Sequence, residues 1–418
     1  MTHPFLRSVQ PVNLLSFGPE TEPIKLQALN ILIGPNGSGK SNFIEIIGLL
    51  KDLPDKDPWS TVIETGGATE WIWKGKNRAG DKTTSLFVSA AGQRLPVRTN
   101  VLSKNFEDWL ERPDRYLVVV QDREGTFEIL SESFGQPNPE SQDVVSTPWF
   151  DRNGRYGVIH DLKNGAGSEG QFSNLSPRVS VLSLLGTESS IALNVPHIRD
   201  FAENLQSIAL YRDWTFGVDA EPRDPQPAGL DSTRLDEDVR NLAQVLKAWR
   251  DRGDQPSFRR LIELMGKFYE PITDVDAELL GTHLRIMVKE EGLKSRTTAA
   301  RLSDGTLRWL TLLTILLQPT PPPVICLEEP ELGLHPDIIP TLADLLRDAA
   351  MRTQLILTTH SSALVDAFSD DPEAICVCEK VEGATVIRRL SQQDLAVWLK
   401  NYSLGNLWTS GQIGGNRW

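Results

Sequence analysis

One octapeptide restricts the folds open to this chain more than any other feature. Gly34, Pro35, Asn36, Gly37, Ser38, Gly39, Lys40 and Ser41 form a glycine-rich turn that closes with a lysine and a hydroxyl, and Asn42 follows. The turn stands after an apolar run, residues 24–33, which reads as a strand, and before a helical pattern from about residue 40 to 50. Glycines in such a turn let successive backbone N–H groups point inward, and the helix amino terminus adds positive potential at the same place. That is a cradle for phosphates. In this pattern Lys40 is expected to reach the β- and γ-phosphates, and Ser41 to ligate Mg²⁺.

The second half of the chain carries what a phosphate cradle lacks. Val324 to Leu327 form a short apolar run that ends in Glu328 and Glu329. A carboxylate at the carboxyl end of a parallel strand faces the ligand crevice. One of the two acids can hold Mg²⁺, and the other can orient or deprotonate an attacking water. Two glutamates at a strand end are by themselves more often a solvated turn; paired with a P-loop, the chemical reading prevails. Some 20 residues earlier, Leu302-Ser303-Asp304-Gly305-Thr306 opens an apolar helical pattern that stops at Pro319, so Ser303 and Gly305 offer hydroxyl and N–H donors to an anion. Taken alone this pentapeptide is a good helix cap. His360 closes the next apolar run, LILTTH, where an imidazole could hydrogen-bond a γ-phosphate.

Apolar runs alternate with helical patterns from residue 303 to residue 380, which predicts an α/β fold with a mostly parallel sheet. Residues 60–165 instead contain short alternating runs separated by Gly, Asp and Asn, which predict an antiparallel β-rich lobe inserted into that core. Residues 133–178 read as rich in loops. The expected organisation is an ATPase core from 1–55 and 270–418, a β-rich insertion over 56–190 and a helical region over 191–269. Its helices, at about 195–209, 236–251 and 256–268, are too short for a long coiled coil.

In this order and spacing the motifs resemble those of ABC-type ATPases, and the chain resembles the RecF/SMC/OLD-like branch of that class, close to the bacterial AAA-type "predicted ATPase" family. GPNGSGKSN, NLAQVLKAWR, LSDGTLRWLTLL, LEEPELGLHP, LILTTHS and YSLGNLWTSGQIGGNRW carry the resemblance. It implies an enzyme that converts ATP and water to ADP and phosphate, with ATP and Mg²⁺ as its ligands. Glu329 is then the catalytic carboxylate, Glu328 and Ser41 assist the metal, and His360 is the switch histidine. Ser303 and Gly305 act in trans on the γ-phosphate held by a second copy, across a loop formed by residues 333–335, so the resemblance also implies an ATP-dependent homodimer. Two departures stand out: Glu328 occupies a position where many relatives have Asp, and no Q-loop glutamine is evident, Gln121 and Gln171 being candidates only by default.

The resemblance implies work in DNA maintenance, repair or anti-phage defence beside an effector such as a nuclease. Fewer than 60 residues follow His360, too few for a Toprim-type nuclease domain, so the effector is expected on a partner. A transporter ATPase subunit and a non-catalytic nucleotide-gated scaffold are the alternatives. The long gap before LSDGT opposes the first, and the presence of both Glu329 and His360 opposes the second. No guanine-reading Asn-Lys-x-Asp pattern favours GTP.

Composition narrows the partners. A formal net charge of −13 opposes wholesale coating by nucleic acid, although DNA at a local basic site stays possible. Two basic stretches, Arg250 to Lys267 and Lys289 to Arg301, read as solvated faces. Cys326, Cys376 and Cys378 cannot all pair and read as core residues. The amino terminus lacks a signal-peptide pattern and no apolar run is long enough to span a bilayer, so a cytoplasmic protein with no membrane partner is expected.

Overall fold

Alternation of buried and half-buried side chains along Thr83–Ala90 places Leu86, Val88 and Ala90 on one face, as in a strand that covers a core with one side. In the computed structural model, which describes residues 4–75, 83–90, 114–136, 147–161, 168–186, 196–212, 216–252 and 256–415, this strand belongs to the first of two units. That unit comprises Met1–Ile208, Glu373–Ser391 and Gly411–Trp418; the second comprises Ala209–Pro372 and Gln392–Ser410.

The first unit contains an eight-stranded antiparallel sheet. Its order is Ile24–Lys25, Leu6–Val12, Thr83–Ala90, Asp114–Arg123, Thr126–Gln136, Thr147–Asn153, Tyr156–Asp161 and Ser168–Phe172. The last three strands correct the expectation of loops over 133–178, of which 137–146 and 162–167 lie outside the described residues. The polar composition hid a hairpin whose two-residue turn is Gly154-Arg155, with Gly154 at φ 58°, the positive φ that such turns take at their first position. Beneath this sheet the buried Glu132 accepts from Tyr116, Ser180 and the backbone of Val181, and the buried Arg152 binds the carbonyls of Ser176 and Val179. These contacts fasten residues 176–181 to the strands.

The run 24–33 is also not one strand. Asn30 is fully buried and exchanges hydrogen bonds of 2.9 and 2.8 Å with the backbone N–H and carbonyl of Gln27. This turn splits the run into Ile24–Lys25 and Leu29–Ile33. The second piece is buried at every position and pairs in parallel with Ile375–Val381, which returns antiparallel as Ala384–Arg389 through a tight turn at Glu382-Gly383.

The second unit is built on three parallel strands, Ala209–Tyr211, Val324–Glu328 and Gln354–Thr358. Helix Asp304–Leu317 is apolar almost all round and buries Leu307, Trp309, Leu310, Leu312 and Leu313, as a core helix must. Ile339–Ala350 is amphipathic and connects Val324–Glu328 to Gln354–Thr358, as parallel pairing requires. A smaller antiparallel sheet of Gln226–Pro227, His283–Glu290, Ile272–Leu280 and Thr297–Thr298 carries Leu242–Asp251 and Pro256–Phe268. The architecture is thus α/β, with parallel strands in the core, an antiparallel lobe and short helices. The longest helix among the described residues has 14 residues, so none of them forms a long coiled coil, and none is long and apolar enough to cross a membrane.

Candidate nucleotide site

Residues 34–42 lie together in the first unit, between the buried strand Leu29–Ile33 and helix Lys40–Asp52. Gly39 has φ 103°, and a Cβ there would stand 2.2 Å from Thr385 Oγ1. A Cβ on Gly34 would stand 2.3 Å from the Cys378 carbonyl oxygen. Both positions therefore require glycine, for the positive φ that each adopts and for the close approach. Lys40 is buried and folds back, donating from Nζ to the carbonyls of Gly34 at 2.8 Å and Pro35 at 3.1 Å. Asn36, Gly37 and Ser41 are exposed, whereas Ser38 is buried and its hydroxyl has no hydrogen-bond partner. Gly39 gives the helix no side-chain cap, so its first N–H groups face an anion-sized need.

Two residues beneath this loop were not expected from the sequence. Thr385 Oγ1 donates to the Ser38 carbonyl at 2.8 Å and lies 2.7 Å from Ser16 Oγ, while its backbone N–H donates to the Ser16 carbonyl at 2.7 Å. The hairpin strand Ala384–Arg389 thereby braces the glycine-rich turn from below. No local pattern marks Thr385 or Ser16. The three cysteines are buried and free; burial pushes the Cys376 and Cys378 thiols up, in keeping with a packing role.

Glu328, Glu329, Ser303, Gly305 and His360 all lie in the second unit. Glu328 ends its strand half-buried, and Glu329 turns into the left-handed region at φ 44° with its N–H on the Thr358 carbonyl at 3.0 Å. That conformation is uncommon for a side chain of this size. His360 Nε2 is 3.8 Å from Glu329 Oε1, so the fold brings these two predicted residues together. Ser303 caps the helix through a 3.1 Å bond from the Thr306 N–H, and a Cβ on Gly305 would lie 3.1 Å from the Gly333 carbonyl. The start of this helix and the Leu332–Gly333 turn are thus in close approach.

Between them opens a cavity of about 660 Å³ that also has Phe216–Ala220 as a wall. Arg308 binds the Leu332 carbonyl inside it and stands 5.4 Å from the Phe216 ring centre. Burial draws the Arg308 guanidinium down, while Glu331, Glu329 and Asp304 hold it up. Arg223, also buried, gathers the carbonyls of Phe216, Gly217, Ala299 and Leu302 and the Asp304 carboxylate. Sequence reading passed over Arg223 and Arg308, and also Glu331, although Glu331 stands within LEEPELGLHP. Burial pushes the Glu331 carboxyl up, and its bonds from Thr359 and the His360 backbone oppose that shift.

Other candidates stand elsewhere. Gln121 and Gln171 are exposed on the antiparallel sheet, Gln121 opposite Thr83 and Gln171 opposite Val158. In the basic stretches Arg250 and Arg296 both pair with Asp274 and Asp276, and Arg260 and Lys267 pair with Glu263. These charges are matched by neighbouring acids, as on a solvated face.

The parallel strands with their helices and the antiparallel lobe have the fold of an SMC head. The structure of the SmcHead bound to the C-winged helix domain of ScpA superposes with a TM-score of 0.56 at 14% identity, covering 94% of this chain and 100% of that chain. The Smc head domain with an extended coiled coil, bound to the C-terminal domain of ScpA derived from Pyrococcus furiosus, gives 0.52 at 14% identity over 95% and 99%. Likeness at that identity bears on the fold. The chain belongs to the family described as "AAA domain, putative AbiEii toxin, Type IV TA system", which matches residues 29–116 and 142–366. No curated protein matches it.

Proposed function

We propose that this chain binds Mg-ATP on residues 34–42 and hydrolyses it in a site completed by a second copy of itself. The observation that carries the reading is the 3.8 Å approach of His360 to Glu329 at the end of an apolar parallel strand, in a chain that also holds a P-loop. The buried, unpartnered Ser38 hydroxyl and the uncapped amino terminus of Lys40–Asp52 are groups that a triphosphate would satisfy.

In this reading Lys40 leaves the Gly34 and Pro35 carbonyls for the β- and γ-phosphates. Ser41 and Glu328 would hold the magnesium, which would supply charge neutralisation for phosphoryl transfer. Glu329 accepts the proton of the attacking water, and His360 donates to the γ-phosphate. Ser303 and Gly305 of one copy meet the γ-phosphate held by the other, and residues 333–335 link the two sites. ATP then closes the homodimer and hydrolysis opens it.

The family description names a putative toxin of a type IV toxin–antitoxin system, and the SMC heads it resembles in fold are bound to another protein. These support an ATP-gated switch that acts through a partner effector such as a nuclease, in DNA maintenance or anti-phage defence. Three buried free cysteines fit a reducing cytoplasm.

Phosphate release by the purified chain and by Glu329→Gln tests the enzymatic reading. The wild-type chain is expected to turn over Mg-ATP, and the variant to lose about 10²- to 10⁴-fold in rate while still binding ATP. A wild-type chain without turnover, or a variant with unchanged turnover, would reject it.

A further inference from the structure

Glu331 differs from its two acidic neighbours. Glu328 and Glu329 are half-buried, but Glu331 is only 8% exposed. Its Oε1 accepts from Thr359 Oγ1 and, at 3.3 Å, from the backbone N–H of His360. Its Oε2 is buried with no hydrogen-bond partner. A carboxyl held this way is an expensive packing element, because a buried acceptor without a donor forfeits its hydration. An apolar side chain of similar size would fill the space without that penalty, so the useful part of Glu331 is the oxygen that meets Thr359 and His360.

The surroundings show what that oxygen fixes. Residues 358–361 are pinned at both ends. At one end the Thr358 carbonyl takes the Glu329 N–H, and at the other Ser361 Oγ accepts from the Leu364 N–H and caps a short helix. Between these points Thr359 Oγ1 also accepts from the Ser361 N–H at 3.0 Å. Glu331 is the side-chain brace from the acidic turn to the middle of this segment, directly at the residue whose imidazole faces Glu329.

We propose that Glu331 is a positioning residue for hydrolysis, whose carboxyl oxygen sets the backbone of Thr359 and His360 and so holds the imidazole against Glu329. The proposal rests on the hydrolytic reading of Glu329 and His360 given above. A neutral carboxyl serves this role as well as a charged one, because only its acceptor oxygen is used.

The test compares wild type, Glu331→Gln, Glu331→Ala and Thr359→Val in two measurements: equilibrium binding of a fluorescent ATP analogue, and kcat and KM for phosphate release. Glutamine keeps a carbonyl oxygen for Thr359 and His360, so Glu331→Gln is expected within about threefold of the wild-type kcat. Glu331→Ala is expected to lose about 10- to 100-fold in kcat, with KM and nucleotide affinity within about twofold of wild type, as for a displaced catalytic group. Thr359→Val, which deletes one donor to Glu331, is expected to fall between them. Three results would overturn the proposal: an undiminished kcat in Glu331→Ala, an equal loss in both Glu331 variants, or a loss carried by KM. Should Glu331→Ala not fold, Thr359→Val decides, and an undiminished kcat there refutes the brace. A wild-type chain without turnover is a separate outcome that removes the hydrolytic reading itself and this inference with it.

Discussion

His360 Nε2 stands 3.8 Å from Glu329 Oε1, and the two side chains are 38% and 40% exposed. The gap is wider than a hydrogen bond, and both groups remain open to solvent. In the proposed hydrolytic site Glu329 and His360 face the same water and phosphate oxygen, and such contacts tighten when substrate is bound.

His360→Ala should therefore lower single-turnover hydrolysis by about 10- to 100-fold. ATP binding should change less than the rate, because residues 34–42 supply most of the proposed phosphate contacts. Rapid-quench measurement at saturating ATP checks this. A variant as fast as wild type removes His360 from the chemistry.

The brace beneath the glycine-rich turn makes a second prediction. Thr385→Val removes the donor to the buried Ser38 carbonyl and is expected to weaken ATP binding by about tenfold, the scale of one orphaned buried acceptor. Gly39→Ala should abolish binding, since it places a Cβ at φ 103° and 2.2 Å from Thr385 Oγ1. Titration calorimetry with ATP reads both. Wild-type affinity in Thr385→Val would show that the hairpin does not support the loop.

A third prediction concerns pH and the antiparallel lobe. Asp114 begins its strand in a buried position, and burial pushes its carboxyl up from 3.8 to about 6, against hydrogen bonds with Gln136 and Trp149 and the charge of Arg7. The folded chain keeps this proton to higher pH than the unfolded chain does. The contribution to stability is thus full below pH 3.8 and is lost as pH rises through about 6, for a total on the order of 3 kcal/mol. Asp114→Asn is neutral throughout and should flatten that slope. Urea unfolding near pH 4.5 and pH 7.5 is the measurement: the variant gains on wild type at the higher pH. An equal difference at the two values would place the slope elsewhere.

What could be read from the sequence was local. The glycine-rich turn, the Ser303 cap and the apolar run ending in Glu328 and Glu329 each declare themselves within about ten residues, because turn chemistry and strand burial are local properties. The parallel strands and their helices followed for the same reason. Thr385 and Ser16 could not be read that way, since their hydroxyls meet only after the chain pairs residues 369 positions apart. Glu331 was visible within its motif, but nothing in the residue order says that it alone of three glutamates turns inward onto Thr359. Arg223 likewise depends on the carbonyls of Ala299 and Leu302, which lie more than 70 residues away. The split of residues 24–33 came from one buried amide, Asn30, which apolar periodicity treats as a tolerated polar residue inside a strand.

A site shared by two copies of the chain requires that ATP double the mass in solution, which can be measured directly. Glu329→Gln with Mg-ATP, followed by sedimentation equilibrium, should give twice the single-chain mass, and the mass should return to one chain with ADP. Adding Ser303→Arg to the same protein should keep it at one chain even with ATP. A mass that stays at one chain in Glu329→Gln with ATP, or that doubles equally with Ser303→Arg present, would contradict the shared site.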